Sequence, residues 1–277
     1  MQVVGVHGIG NYQPGAAATE AARHLSDVWT GALPAQLASE LTLDVAYYAD
    51  LLQPQGRQGG GSTLADLDPL ELELVEQWVV ALSPPQGVAT GWGTKPLRQY
   101  LAWVSEVRGV GKPLTEWFVT RFFKEVAAYL RGPDNTARMS ARQRVIEALE
   151  RLRPEVVVAH SLGSVVAYEA LWSRPDIGVQ LLVTLGSPLA MPHAVYDRLL
   201  PSPTEQPAGR PPGVGRWVNL ADPGDLVAIP EKGMGMAFSG VDVDRHTLID
   251  AFDFHKVRNY LSARQVVATL SSHLNDR

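Results

Sequence analysis

Val156-Val157-Val158-Ala159-His160-Ser161-Leu162-Gly163-Ser164-Val165-Val166-Ala167 is the stretch on which the reading of the fold turns. Three valines and an alanine make a continuous apolar run, the pattern of a strand buried on both faces of a parallel sheet. A helical pattern begins just past Ser161, so the serine falls on the turn between strand and helix. Such a turn forces the serine backbone into a strained conformation and lifts its hydroxyl from the end of the sheet. The residues two before and two after must be small where strand and helix meet, and Ala159 and Gly163 satisfy this. Small-x-Ser-x-Gly is weak by itself; the valines ahead and the helix behind make it specific. The plainer alternative is a serine that caps a helix. His160 adjoins Ser161 but points elsewhere on a tight turn, and reads as structural.

Working outward, four similar runs stand at Val3–Val6, Leu43–Tyr48, Leu181–Leu185 and Trp217–Leu220, with a weaker one at Val241–Val243. Helical patterns separate them. Thr19 to Glu40 is interrupted near Gly31 and Pro34, Arg142–Arg153 puts Val145, Ile146, Leu149 and Leu152 on one face, Ser164–Ser173 follows the central run, and Ser262–Leu274 closes the chain. This alternation predicts an α/β fold with a doubly wound, mainly parallel sheet. From Asp50 to Pro154 the chain is far longer than the dozen or so residues a crossover needs. It opens with the Gly-rich segment Gln53–Ser62 and carries helical patterns at Leu64–Leu82, Leu97–Val107 and Leu114–Leu130. We read residues 1–277 as a single domain with a helical insertion, a cap or lid, over about 51–140. The insertion's aromatics either pack it onto the sheet or line an apolar pocket. Pro201–Gly215, rich in Pro and Gly, reads as an irregular surface loop.

Composition narrows the classes. The 277 residues are 45% hydrophobic and 19% charged with net charge −5, an ordinary globular balance without a nucleic-acid footprint. With no cysteine, disulfides, thiolate metal sites and cysteine nucleophiles are excluded together. No His-Glu-x-x-His or comparable spacing occurs, so neither a metal nor a cofactor is expected. The opening Met1-Gln2-Val3-Val4-Gly5-Val6-His7 reads as a strand and not as an export signal, and no run of about 18 apolar residues suggests a spanning helix. The expectation is a cytoplasmic protein.

Charge that develops near Ser161 would meet the backbone N–H of Leu162 at the start of the helix. A second donor would come from His7-Gly8-Ile9-Gly10, where glycines allow close approach and Ile9 N–H is the candidate. The competing reading, a glycine-rich phosphate loop, lacks both the dinucleotide fingerprint and a P-loop lysine. Val6-His7-Gly8-Ile9-Gly10 together with Ala159-His160-Ser161-Leu162-Gly163-Ser164, and Leu185-Gly186-Ser187-Pro188 after the next run, resembles the α/β-hydrolase superfamily in its lipase and esterase-like branch. The resemblance covers the sheet-forming parts and not 50–140, and it implies that the first two strands of the full fold are missing.

That resemblance implies an order of Ser, then Asp or Glu, then His. Asp225-Leu226-Val227-Ala228 is similar to the acid segment of lipase-like relatives, which selects Asp225, with Asp222 as the alternative. His246, His255 and His273 follow the acid. His255 lies after Asp250-Ala251-Phe252-Asp253-Phe254, and Lys256–Ser262 beyond it is similar to the His-containing loop of those relatives. His246 reads as a surface-loop residue and His273 as part of the last helix. The implied chemistry is nucleophilic. An imidazole, with a reference pKa of about 6.5, takes the serine proton while a carboxylate fixes its tautomer. The expected activity is hydrolysis of a small acyl ester or thioester through an acyl-enzyme. Acyl transfer or amide cleavage on the same triad, or a catalytically silent ligand-binding protein on this fold, are the alternatives.

Overall fold

The computed structural model describes residues 1–53, 64–82, 101, 112–203, 208–249 and 255–275. Their strands are β1 (Gln2–Val6), β2 (Thr42–Ala46), β3 (Val156–His160), β4 (Val179–Leu185), β5 (Ala208–Gly209), β6 (Val214–Ala221), β7 (Phe238–Ser239) and β8 (Val243–His246). Six form one sheet in the order β2-β1-β3-β4-β6-β8, and every pairing in it is parallel. The order reverses between β1 and β3: β1 leads outward to β2 on one side, and β3 leads to β4 on the other. In open parallel sheets the crevice at such a switch point, beyond the carboxyl ends of the strands, is where ligands bind.

The helices are α1 (Ala18–Thr30), α2 (Ala35–Ser39), α3 (Pro69–Ala81), α4 (Lys112–Leu130), α5 (Thr136–Leu152), α6 (Leu162–Ser173), α7 (Gly233–Ala237), α8 (Val257–Ser262) and α9 (Arg264–Asn275). Side chains of successive strand residues point to opposite faces. Val4, Val6, Val157 and Ala159 therefore pack with Trp78 of α3, Phe122 of α4, Val145 of α5 and Val165 of α6. Val3, Val156 and Val158 pack with Trp29 of α1, Tyr260 of α8 and Val266 of α9. A sheet buried on both faces explains why β1 and β3 read as uninterrupted apolar runs.

Several elements differ from their sequence-based positions, for physical reasons. The α1–α2 break comes at Gly31 and Pro34, as the pattern suggests. Leu64–Leu82 divides into a short 3-10 turn, Leu64–Asp66, and α3, because Asp68 caps α3 reciprocally with Glu71 and Pro69 opens it. α5 starts earlier than Arg142, capped by Asn135, and runs across the expected inner edge of the insertion at 140. The last helix, α9, starts two residues after Ser262 because Ala263 leaves the helical region, and a short α8 that the pattern does not mark precedes it. Pro201–Gly215 is not all irregular: Ala208–Gly209 pairs with Phe238–Ser239, and β6 starts at Val214. The weak Val241–Val243 strand is displaced to Val243–His246. Leu97–Val107, apart from Leu101, nearly all of the Gly-rich Gln53–Ser62 segment, and Asp250-Ala251-Phe252-Asp253-Phe254 lie outside the described residues. No helix among those described is long and apolar enough to cross a membrane.

Candidate active site

Ser161 follows β3 directly and takes φ 55°, ψ −132°, a conformation that costs a non-glycine residue about 1–3 kcal/mol. Hydrogen bonds hold it there. Ser161 N–H donates to the Leu185 carbonyl at 2.9 Å, and Ser164 Oγ donates to the Ser161 carbonyl at 2.6 Å. Ser164 has a single hydroxyl proton, so Ser187, 2.7 Å away, must donate to it, while Ser187 Oγ accepts Leu189 N–H at 3.2 Å. Gly163 is required by contact: a Cβ there would stand 2.3 Å from the Val6 carbonyl and 2.4 Å from that of His7.

The loop after β1 meets the serine just as closely, since a Cβ on Gly8 would lie 2.6 Å from Ser161 Cβ. Side-chain hydrogen bonds shape the loop. Asn11 donates to the carbonyls of Gly8 and Ile9 at 2.9 and 3.0 Å. Tyr48 N–H donates to His7 Nε2 at 3.1 Å, so the His7 proton sits on Nδ1 and goes to the Gly8 carbonyl at 2.8 Å. Burial pushes His7 down to about 4, which keeps this neutral tautomer. Ile9 thus lies between Gly8, packed on Ser161, and Gly10, whose N–H donates to both Glu125 carboxylate oxygens at 3.1 Å. Burial raises the Glu125 carboxyl above its ordinary range, opposed by Arg121 and by Gly10 N–H. Leu162 opens α6, where the first N–H groups have no partner within the helix.

Asp225 and His255 complete the cluster. His255 Nε2 is 2.8 Å from Ser161 Oγ, and His255 Nδ1 is 3.0 and 2.9 Å from the two Asp225 oxygens. Asp225 Oδ1 also accepts Val227 N–H at 2.9 Å, and Oδ2 accepts the Tyr260 hydroxyl at 2.7 Å. Burial alone would raise this carboxyl. The imidazole charge and these hydrogen bonds outweigh it and hold Asp225 below its ordinary value. An ionised Asp225 can only accept, so the His255 proton sits on Nδ1 and Nε2 offers its lone pair to the serine hydroxyl.

The other sequence candidates are elsewhere. Asp222 serves its turn: Oδ1 accepts Gly224 N–H and Oδ2 accepts Ile249 N–H, both at 2.6 Å. His246 is not a surface-loop residue. It lies in β8 with its side chain 4% exposed, and Nε2 accepts Lys232 N–H at 3.0 Å. His273 is in α9. His160 is buried with its ring 4.9 Å from that of His255, and burial pushes it down to about 3. Its Nε2 has no hydrogen-bond partner among the described residues.

Four contributors lie beyond the site residues read from the sequence. The rings of Phe118 and Phe122 of α4 stand nearly perpendicular to the His255 ring at 5.4 and 6.4 Å, so this part of the insertion covers the imidazole. Trp78 of α3 donates to the Leu226 carbonyl at 2.7 Å, beside Asp225. Tyr260 bridges the two aspartates, donating to Asp225 and accepting Asp222 N–H at 3.0 Å. Of the two readings of the aromatics, core packing describes Trp78, Phe123 and Tyr129, while Phe118 reaches the site; Trp92, Tyr100 and Trp103 lie outside the described residues. The cluster is enclosed, with Ser161 0% and the His255 side chain 9% exposed. Among the described residues no group of three or more His, Asp or Glu side chains is placed to hold a metal.

An alcohol, an imidazole and a carboxylate in a hydrogen-bonded relay can activate the alcohol as a nucleophile. Comparison with protein families, with curated proteins and with solved structures returns no match.

Proposed function

We propose that this chain is a serine hydrolase of the α/β-hydrolase type that cleaves a carboxylic ester or thioester. The observation that carries the reading is the 2.8 Å approach of Ser161 Oγ to the lone-pair nitrogen of His255, with Asp225 on the opposite nitrogen. The strand order supports it too, because Ser161 and the Gly8 loop flank the switch point between β3 and β1.

In this mechanism His255 Nε2 takes the Ser161 proton as Oγ bonds to the acyl carbon. The carbonyl oxygen, now anionic, is stabilised by the N–H groups of Leu162 and Ile9. Asp225 stays ionised and stabilises the imidazolium, which returns its proton to the departing alkoxide or thiolate. Water then attacks the acyl-enzyme with His255 as base, and the acid leaves as Ser161 regains its proton. Phe118 and Phe122 keep bulk water from the imidazole and give the acyl group an apolar wall.

The test is hydrolysis of p-nitrophenyl esters of increasing chain length by wild type and by Ser161→Ala. The expected outcome is turnover by wild type and a loss of roughly 10⁴–10⁶-fold in the variant with an unchanged melting temperature. Equal hydrolysis by both proteins would refute the assignment.

A further inference from the structure

Away from the enclosed serine, an open groove of about 480 Å³ runs between α9 and the sheet edge formed by β6 and β8. Its charged lining is Arg216, Arg245 and Arg264, one from each of the three elements, and no carboxylate lines it. Arg245 pairs in register with Leu220. Arg216 lies four residues before Leu220 in β6, so the two arginines leave the same face of the sheet about 13 Å apart along the strands. Opposite them α9 presents Gln265, Ala268, Thr269 and Ser272, a helical stripe in which three of the four side chains carry a polar group.

Seven arginines among the described residues are matched with carboxylates, as Arg138 is with Glu169 and Arg210 with Asp242. Arg216, Arg245 and Arg264 form no ion pair among the described residues. The nearest carboxylates along β8 are engaged elsewhere. Asp242 receives Arg210 and Trp217 N–H, and Asp244 receives the Asn219 amide and Gly235 N–H. Three like charges converging on one concavity repel each other, and in a chain of net charge −5 they reverse the local field. An anion removes that repulsion, and guanidinium forks match phosphate oxygens in bidentate geometry.

We propose that this groove binds a small phosphorylated molecule, its phosphates held by Arg216, Arg245 and Arg264. The volume is that of a small-molecule site. The polar lining does not suit an acyl chain, and the overall negative charge disfavours a nucleic acid or an anionic membrane, which need an extended basic face. The groove shares no residue with the Ser161 cluster, so the inference stands whether or not that cluster is catalytic.

Isothermal titration of the full chain with pyrophosphate, at constant ionic strength in chloride, tests the proposal, with ATP as a second probe. One site per chain is expected for both, weakened roughly tenfold by Arg245→Ala or Arg216→Ala alone and lost in the triple alanine variant. All three side chains are exposed, and circular dichroism checks that each variant folds. Ser161→Ala should bind as wild type does. No binding by folded wild type, or undiminished binding by the folded triple variant, would overturn the proposal. Displacement of pyrophosphate by duplex DNA or phosphatidylserine vesicles at lower concentration would overturn the small-ligand assignment.

Discussion

Ser161, Asp225 and the Gly8 loop hang from the carboxyl ends of parallel strands, whereas Phe118, Phe122 and Glu125 reach the same place from α4 of the insertion. The strand side is fixed by backbone. Ser161 N–H is tied to the β4 end, and Gly163 sits where any side chain would strike the Val6 and His7 carbonyls. The α4 side is fixed by ring contacts with His255 and by one carboxylate on Gly10 N–H. Backbone placement tolerates little error, as a reacting pair requires, while side-chain packing can vary without moving the nucleophile. Chemistry should therefore fail on changes to the first side, and access or acyl preference should shift on changes to the second.

The sharpest way to break this contrast is at the two aspartates. Asp225→Asn should lower turnover by about 10⁴-fold, because an amide can no longer enforce the His255 tautomer. Asp222→Asn should change turnover less than tenfold and lower the melting temperature instead, since it receives two loop N–H groups. Steady-state kinetics with thermal melts separates the two. Tyr260→Phe should cost roughly tenfold in turnover, about one charge-assisted hydrogen bond to Asp225. Unchanged turnover in a folded variant would show that Tyr260 is only packing.

On the α4 side, Phe118→Ala should leave kcat on short esters within about threefold and raise KM for long ones by roughly tenfold, the worth of a lost apolar wall. If kcat collapses for every chain length, α4 positions the imidazole directly and the contrast is wrong.

The remaining prediction concerns stability. Unfolded imidazoles take up protons below about pH 6.5, but folded His7 and His160 only near about 4 and 3. Their contribution is complete above 6.5 and declines as pH falls, with a slope approaching about 1.4 kcal/mol per pH unit for each. Asp225, lowered in the folded state, adds a loss in the same direction at still lower pH. Denaturant melts between pH 7 and 4 should follow this course, and His160→Asn should flatten it.

Much of the strand side was legible in the sequence because buried parallel strands read as apolar runs and the turn around Ser161 has steric demands of its own. The identity of Asp225 and His255 rested on resemblance; the coordinates bring both to Ser161 and send Asp222 to its turn. β8 was misplaced because it is a half-exposed edge strand whose Val-Asp-Arg-His carries little apolar signal. Phe118 and Glu125 were illegible as site residues for a different reason. Each acts across a tertiary contact spanning tens of residues or more, and nothing in local pattern tells a buried ring from one that faces an imidazole.

The central claim is that Ser161 is a nucleophile activated by His255. Mass spectrometry of the chain after treatment with a fluorophosphonate tests it most directly. One adduct per chain on Ser161, absent in His255→Ala, is the predicted result; a folded wild type left unmodified, or an adduct on Ser164 or Ser187 instead, would contradict it.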